Sequence, residues 1–310
     1  MEKTPGKRPD RVTAITPHLP LLKSTSPTRS THVMAILNLT PDSFSDGNLH
    51  SSTDMEALGK TVQKFVNAGA TIIDVGGQST RPNAKKLPPT LELERILPAI
   101  QHIRSMPEAR NIAISVDTFY ASVAEDAIAA GADIINDVTA GEADPLMLAT
   151  AARLQRPIIL MHMRGTPQTM TELTQYPDGV INGVGRELFK RLQAAEAAGI
   201  RPWRIILDPG IGFAKTQDQN LELLRRLDEL RVYKGLEGFP WLVGTSRKGF
   251  IGKITEVKSA HDRAWGTAAA VTASINGGAD IVRVHDVAEM AQVAKMADAI
   301  FRVKDKRETG

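Results

Sequence analysis

The chain repeats one short motif at the start of three apolar segments, and this repeat limits the fold more than any other feature. AGATIID at 68–74, AGADIIN at 130–136 and GGADIVR at 277–283 each place a glycine directly before an apolar run. A glycine at that point is typical of a helix end, and the run after it is typical of a buried strand. The repeat therefore predicts recurring helix-to-strand junctions, as in an α/β protein.

Eight short apolar runs, separated by segments of helical period, extend this pattern along the chain. In one such segment Met55, Leu58, Val62 and Phe65 have the spacing of a buried helix face. Eight βα units of similar length close most simply into a barrel. An open doubly wound sheet is the alternative, but no glycine-rich dinucleotide fingerprint follows the first run. We therefore predict a single-domain α/β protein, a (β/α)8 TIM barrel, with strands at 33–37, 71–75, 112–116, 133–136, 157–161, 204–207, 241–244 and 280–284.

The predicted barrel occupies residues 33–304, between a flexible N-terminal tail or linker at 1–32 and a C-terminal tail at 305–310. The first segment contains five prolines and lacks the apolar period of a helix or strand. A mitochondrial transit peptide is also basic and rich in Ser and Thr, but these prolines interrupt the amphipathic helix that it needs. A linker is therefore favoured, with a cytoplasmic location expected and a mitochondrial one as the alternative.

Composition excludes several classes of function. The 38 Lys and Arg residues nearly balance the 35 Asp and Glu residues, so the net charge of +3 does not indicate a nucleic-acid partner. No apolar stretch approaches the roughly 20 residues that cross a bilayer, so we expect a soluble protein without a membrane partner. The chain has no cysteine, which excludes disulfides, thiolate nucleophiles and cysteine metal sites. Any metal must be bound by oxygen or imidazole ligands.

Polar residues follow the apolar runs, at the barrel face where TIM-barrel enzymes place their active sites. A lone Asp or Asn after a strand most often caps the next helix. Seven of the eight runs end in polar groups, however, and this recurrence favours one shared site. The residues at these ends are Asn38, Gly76 leading to Thr80 and Arg81, Asp117, Asn136, Met161 with His162, Asp208, Thr245 leading to Lys248, and Arg283 with His285.

These side chains are of two chemical kinds. Acceptors suited to the N–H and NH2 edge of a flat heterocycle are Asp117, Asn136 and Asp208. Donors suited to a phosphate or pyrophosphate are Arg81, Arg283, His285 and Lys248. Taken alone, Lys248 is more often a solvated surface lysine. His162, between two methionines, is more often a packed or supporting histidine than a catalytic one.

The motifs at the strand ends, taken together and in order, resemble the dihydropteroate synthase family. They are ILNLTPDSFSDG at 36–47, DVGGQSTRP at 74–82, SVDT at 115–118, IINDV at 134–138, LMHMRGTPQTM at 160–170, LDPGIGFAK at 207–215, GTSRKGFIG at 244–252 and RVHDV at 283–287. The resemblance implies a TIM barrel, usually a homodimer. It further implies Mg²⁺-dependent condensation of 6-hydroxymethyl-7,8-dihydropterin pyrophosphate with para-aminobenzoate to 7,8-dihydropteroate and pyrophosphate in folate biosynthesis. GGQSTRPNA and TSRKGFIGKIT are similar to fungal members, in which this domain ends a longer multifunctional folate enzyme.

The resemblance also implies a role for each matching residue. The pterin contacts are Asp117, Asn136, Asp208 and Lys248, with Met161 lining the ring pocket. The pyrophosphate and magnesium end is matched by Asn38, Arg283 and His285, with Asn38 as the metal ligand. The aminobenzoate and mobile-loop positions are Thr80, Arg81, Pro82, Phe213 and Ser246. Gln78, Asn48 and Asn83 depart from many bacterial members, in which Glu or Gly stands there.

The predicted chemistry is a dissociative substitution, in which pyrophosphate leaves and a carbocation-like pterin state is attacked by the aryl amine. The residues expected to take part are Asp117, Asp208, Lys248, Arg283 and His285, and none acts as a nucleophile. Three alternatives are a pterin-binding methyltransferase, which needs no pyrophosphate clamp, a Schiff-base aldolase using Lys248, and a non-catalytic pterin-binding domain. The SRK, STRP and RVH segments argue against the first. The aldolase needs a lysine in an apolar pocket, whereas Lys248 follows Arg247 in a glycine-flanked loop.

Overall fold

The structure is a computed structural model that describes residues 29–40, 54–79, 84 and 86–302. Within those ranges the chain forms eight strands and ten α-helices. The strands are β1 (His32–Asn38), β2 (Ile72–Gly76), β3 (Ala113–Asp117), β4 (Ile134–Asp137), β5 (Ile158–Met161), β6 (Ile205–Asp208), β7 (Leu242–Val243) and β8 (Ile281–Val284). The helices are α1 (Met55–Ala68), α2 (Pro89–Ser105), α3 (Ala121–Ala129), α4 (Met147–Leu154), α5 (Val180–Ala197), α6 (Gln217–Arg225), α7 (Leu227–Arg231), α8 (Gly249–Thr255), α9 (Ala264–Asn276) and α10 (Val287–Phe301).

All eight strands are parallel and form one closed sheet. Their order is β6-β5-β4-β3-β2-β1-β8-β7. A parallel bridge between Leu207, in β6, and Trp241, just before β7, joins the two outer strands. The predicted (β/α)8 barrel is therefore confirmed. Seven of the eight strands begin one residue later than the apolar runs predicted, and β1 begins one residue earlier.

The helix-to-strand junctions form as the repeated motif predicts. Gly69 ends α1 with φ of +99°, and its N–H donates to the carbonyl oxygens of Phe65 and Val66. Gly131 and Gly278 take the same left-handed backbone before β4 and β8, with φ of +118° and +98°. Since glycine adopts positive φ without steric cost, each of these junctions turns sharply into its strand.

Two apolar layers hold the barrel together. One lies between the sheet and the surrounding helices. The other fills the barrel interior with one fully buried residue from each strand, namely Met34, Ile72, Ala113, Ile134, Ile159, Ile206, Leu242 and Ile281. This interior layer closes the barrel at its amino-terminal side, so any ligand must approach from the carboxyl ends of the strands.

The amino-terminal face is fastened by polar contacts. Arg29 pairs with Asp280 at 2.6 Å between Nε and Oδ1, and Thr31 hydrogen-bonds to Asp298 of α10. These residues lie in the segment that the sequence assigns to the N-terminal tail, so the packed part of the chain begins by Arg29. Residues 1–28 and 303–310 of the two predicted tails lie outside the described residues. Among the described helices, none is long and apolar enough to span a membrane.

Candidate active site

The layer above the apolar barrel interior is polar. Side chains of a strand alternate between its two faces, so the residue two positions after each interior residue also points inward. Those next positions hold Asp74 in β2, Asn136 in β4, Asp208 in β6 and Arg283 in β8. Asp117, the last residue of β3, lies four positions beyond Ala113 and therefore points the same way. Strand period alone thus places three carboxylates, an amide and a guanidinium at one mouth.

Arg283 is the centre of this polar layer. Its Nε donates to Oδ2 of Asp74 at 2.6 Å, and its Nη2 donates to Oδ2 of Asp117 at 2.7 Å. Asn136 Nδ2 lies 3.1 Å from the same Asp74 oxygen. Asp74 is fully buried, so its charge is balanced by Arg283 and by the amide of Asn136. The result is one network that fixes the side chains of β2, β3, β4 and β8 relative to one another.

Burial shifts the pKa of the two carboxylates assigned to the pterin. The pKa of Asp117 rises to about 7, because burial outweighs the attraction of Arg283 and the nearby Asp74 charge adds to the effect. The pKa of Asp208 rises to about 6, again mainly by burial, although the Gly210 N–H, at 2.7 Å from its Oδ1, and Lys248 oppose the shift. Both groups therefore change charge close to neutral pH.

Lys248 reaches into this mouth from the loop before α8. Its Nζ lies 4.2 Å above the centre of the Phe213 ring, and burial lowers its pKa to about 8 against the attraction of Asp208. Gly212 has φ of +81°, and a Cβ there would lie 3.1 Å from Lys248 Cδ. The reading of Lys248 as a solvated surface lysine is therefore wrong, and its half-buried place over a ring also weakens the sequence argument against a Schiff-base lysine.

An apolar patch adjoins the polar layer above β3 to β6. It consists of Phe119, Val138, Met161, Met170, Phe213 and Ala214, all of them buried. Met161 and Phe213, which the sequence assigns to the ligand pocket, thus lie on one surface. A flat ring whose polar edge meets Asp117 and Asp208 would find apolar contact here.

Ser246, in the loop before α8, and His285, after β8, are hydrogen-bonded partners. Ser246 Oγ lies 3.1 Å from the backbone N of His285 and 3.0 Å from its Nδ1. Next to them Arg247 has φ of +59° and pairs with Asp286, with Nε 3.1 Å from Oδ2. The SRK and RVH segments are therefore tied together at one side of the mouth.

Asn38, at the end of β1, lies beside Asp117 across a glycine. Gly76 pairs in register with both residues, and a Cβ on it would lie 3.6 Å from Asn38 Oδ1 and 3.5 Å from Asp117 Cβ. A side chain at this position would touch both residues. Among the described residues, no three His, Asp or Glu side chains gather as a metal-binding group. These oxygens suit Mg²⁺ chemically, but only as a few ligands to an ion that keeps other partners.

His162 has a supporting position, as its sequence context indicated. It is 2% exposed, with Nε2 3.0 Å from Glu187 Oε2 and Nδ1 2.9 Å from Lys215 Nζ. Burial, together with the charge of Lys215, lowers its pKa to about 4, so the ring is neutral at pH 7. Glu187 also binds Arg164. Although burial alone would raise the pKa of Glu187, these hydrogen bonds hold it well below its usual range.

Gln78 forms a buried pair with Glu92 of α2. Gln78 Nε2 donates to Glu92 Oε2 at 2.5 Å, and burial raises the pKa of Glu92 to about 7. The departure at Gln78 therefore supplies a neutral donor to a carboxyl group that is fully out of water.

The structure brings together most of the residues predicted from the sequence. Asn38, Asp117, Asn136, Met161, Asp208, Phe213, Ser246, Lys248, Arg283 and His285 all lie at the carboxyl-terminal mouth of the barrel. The predicted positions Thr80, Arg81 and Pro82 lie outside the described residues.

Sequence reasoning missed Asp74, Lys215 and Glu187. Asp74 was detectable, because a charged residue inside an apolar run, two positions after an inward residue, must also point inward. Lys215 and Glu187 could not be paired with His162 from spacing, since they come from separate βα units.

The comparisons with known proteins agree with this geometry. Residues 34–285 match the family described as pterin binding enzyme. The chain is 52% identical over 273 residues to the folic acid synthesis protein fol1 of Pneumocystis carinii, covering 88% of this chain but 36% of that protein. It thus spans about a third of the length of that relative. It is 50% identical over 275 residues to the dihydropteroate synthase of Synechocystis, covering 88% of this chain and 91% of that enzyme.

A solved structure gives the same result. The dihydropteroate synthase of Xanthomonas albilineans with 4-aminobenzoic acid superposes with a TM-score of 0.81 at 36% identity, covering 95% of this chain and 100% of that one. The match runs through every strand that contributes to the mouth, and the Synechocystis relative is matched over nearly its whole length. The chain belongs to the dihydropteroate synthase family of pterin binding enzymes.

Proposed function

We propose that the chain is a transferase, a dihydropteroate synthase. It condenses 6-hydroxymethyl-7,8-dihydropterin pyrophosphate with para-aminobenzoate, giving 7,8-dihydropteroate and pyrophosphate. The observation that supports this most directly is the polar layer in which Arg283 joins Asp74 and Asp117 beside Asn136. It offers fixed acceptors to the pterin edge at the bottom of the mouth, with donors around them.

The residues divide the work by charge. Asp117 and Asp208 accept from the pterin and, when ionised, stabilise positive charge that develops on it as pyrophosphate leaves. Lys248, above Phe213, contributes a cation between the pterin and the second substrate. His285 and Ser246, bound to each other at 3.0 Å, form a donor pair at the side where the leaving group departs. The amine of para-aminobenzoate then attacks the exocyclic methylene and loses its proton afterwards, so no strong base is required.

We further propose that Mg²⁺ takes part and arrives with the pyrophosphate. The absence of a three-residue metal cluster among the described residues fits an ion that is bound mainly by substrate oxygens. Asn38 would be its protein ligand. When bound, the ion neutralises charge on the leaving group.

A homodimer is proposed on the exposed apolar side chains of two packed helices. Trp265 of α9 is 89% exposed, and Met296 and Ile300 of α10 are also exposed. A surface of this kind is commonly covered by a partner. Light scattering should give about twice the 33.6 kDa chain mass, and Trp265→Glu should return the mass of one chain.

For location we propose the cytoplasm, with the mitochondrion as the alternative that imaging of the tagged protein would distinguish.

The test of the activity is direct. The purified chain is incubated with the pterin pyrophosphate, para-aminobenzoate and Mg²⁺ while pyrophosphate release and 7,8-dihydropteroate formation are followed. Equal rates of both, dependent on both substrates, are expected. Pterin binding without release of pyrophosphate would favour the non-catalytic alternative.

A further inference from the structure

Lys215 lies in the site without a role in the proposed reaction. Its Nζ is surrounded by three acceptors, with the carbonyl oxygens of Gly210 and Phe213 at 3.0 and 2.9 Å and Nδ1 of His162 at 2.9 Å. Three acceptors match the three N–H groups of an ammonium ion. All three N–H groups of this lysine are therefore bound by acceptors of the protein itself, two of them in the loop that follows β6.

His162 can accept from Lys215 only as one tautomer. Because its Nε2 faces the Glu187 carboxylate at 3.0 Å, the ring proton belongs on Nε2, and Nδ1 has its lone pair free for Lys215. Arg164 in turn binds Glu187 at 2.9 Å from its Nε. The side chains thus alternate as cation, carboxylate, neutral ring and ammonium from the edge of the site inward.

The loop that Lys215 binds holds two residues of the pterin site. Its backbone turns through positive φ at Gly210 (+66°), Gly212 (+81°) and Ala214 (+48°). The N–H of Gly210 donates to Asp208 Oδ1 at 2.7 Å, while the carbonyl of Gly210 accepts from Lys215. One peptide segment therefore links the lysine to the Asp208 carboxylate, and the Phe213 carbonyl links it to the ring beneath Lys248.

We infer that Lys215 is a positioning residue for the pterin site. Its ammonium group donates to neutral His162 and to the carbonyl oxygens of Gly210 and Phe213. These bonds orient Asp208 and Phe213 toward the ligand. This inference rests on the proposed function. The charged groups that face Lys215 are Asp208, Glu187, Arg164 and Lys248. Burial lowers the pKa of Lys215 to about 7, although the charge of Asp208 opposes this shift. All three hydrogen bonds of Nζ therefore form only while Lys215 is protonated.

The test compares Lys215→Met with Lys190→Met, which removes the same charge from an exposed position on α5. Calorimetry with the pterin pyrophosphate should show at least tenfold weaker binding for Lys215→Met, because the three ammonium contacts that orient the site are lost, and no change for Lys190→Met. Lys215→Arg keeps donors at this point and should recover most of the affinity. Thermal unfolding of each variant shows whether the chain has folded.

A second pair of variants separates positioning from simple packing. His162→Asn keeps an acceptor where Nδ1 stood, whereas His162→Leu removes it, and both lose the bond to Glu187. We expect His162→Leu to lose as much pterin affinity as Lys215→Met does. His162→Asn should bind the pterin several times more tightly than His162→Leu. Wild-type affinity in folded Lys215→Met, or equal affinity in the two His162 variants, would overturn the inference.

A readout without pterin keeps this inference distinct from the proposed activity. In Lys215→Met the pKa of His162 should rise from its low value, because a neighbouring positive charge has gone. Nitrogen-15 NMR of histidine-labelled protein measures this, with His162→Asn identifying the signal. If wild-type protein releases no pyrophosphate, the proposed function fails, whereas an unmoved His162 pKa contradicts the Lys215 contact itself.

Discussion

Replacing Asp74 by Asn removes one charge from the polar layer while keeping the shape of the side chain. Asp74 is fully buried and accepts from Arg283 Nε at 2.6 Å and from Asn136 Nδ2 at 3.1 Å. An asparagine can offer only one neutral oxygen to these two donors. Arg283 then keeps a single carboxylate partner, Asp117 at 2.7 Å.

The size of the effect follows from two opposing contributions. Removing one partner of a buried ion pair costs about 3 to 5 kcal/mol when nothing else pairs with the remaining charge. Here Asp117 still pairs with Arg283, and loss of the Asp74 charge relieves a repulsion that raises the Asp117 pKa. We therefore expect the free energy of unfolding to fall by about 2 kcal/mol, near the value for one charge-assisted hydrogen bond. For a domain of this size that lowers Tm by roughly 3 to 4 °C.

Pterin affinity separates this effect from general destabilisation. Because Asn136 and Arg283 both lose an anchor, Asp74→Asn should also weaken pterin binding by about tenfold. The control is Asp280→Asn, which breaks the buried pair with Arg29, at 2.6 Å, on the opposite face of the barrel. It should lower stability similarly and leave pterin affinity unchanged. Denaturant unfolding and calorimetry measure both quantities, and wild-type stability together with wild-type affinity in Asp74→Asn would refute the reasoning.

Other changes at the mouth should give different patterns. Asp208→Ala removes a carboxylate held within the protein mainly by the Gly210 N–H. The free energy of unfolding should therefore fall by only about 1 kcal/mol, while pterin affinity falls tenfold or more. The reverse pattern in the same two assays would contradict its role. The dependence of kcat/KM on pH should be bell-shaped. It should rise through pH 6 to 7 as Asp208 and Asp117 lose protons, and fall near pH 8 as Lys248 loses its proton. A flat profile would count against this assignment. Both carboxyl pKa values are raised in the fold, so the folded protein binds more protons than the unfolded chain between about pH 4 and 7. The free energy of unfolding without ligand should therefore fall as pH rises through this window. Urea unfolding at each pH measures it. Magnesium should bind weakly to the empty enzyme and tightly with pyrophosphate, and tight calorimetric binding of the ion alone would exclude a substrate-borne metal.

The strand positions and the strand-end residues were predictable because both follow from local period. Alternation within a strand is set by its backbone, so an apolar run identifies its inward residues without knowledge of its neighbours. The same reasoning, applied to TIID at 71–74, would have found Asp74. Asp74 was missed because only the residues that follow each run were considered as site candidates.

The pairings within the site were not predictable, because they depend on how far strands shift past one another around the barrel. Arg283 contacts Asp74 and Asp117 across 209 and 166 residues of sequence. Nothing local distinguishes a guanidinium that is shared by two carboxylates from one that faces solvent. Lys248 illustrates the same limit, since composition favours a surface lysine and only the closed barrel places it over Phe213.

The buried charges of the mouth explain why this face is specialised for a ligand rather than for stability. Asp117 and Asp208 have raised pKa values and Lys215 and Lys248 have lowered ones, with burial as the largest cause in all four. Each is therefore held where its charged form is unfavourable, although apolar residues at these positions would stabilise a barrel better. A flat ring that donates to both carboxylates supplies the hydrogen bonds that burial removed. Under the proposed function, ligand binding would also relieve the unfavourable burial of these charges, and the contacts of Arg283 and Lys215 would keep the groups in place for it.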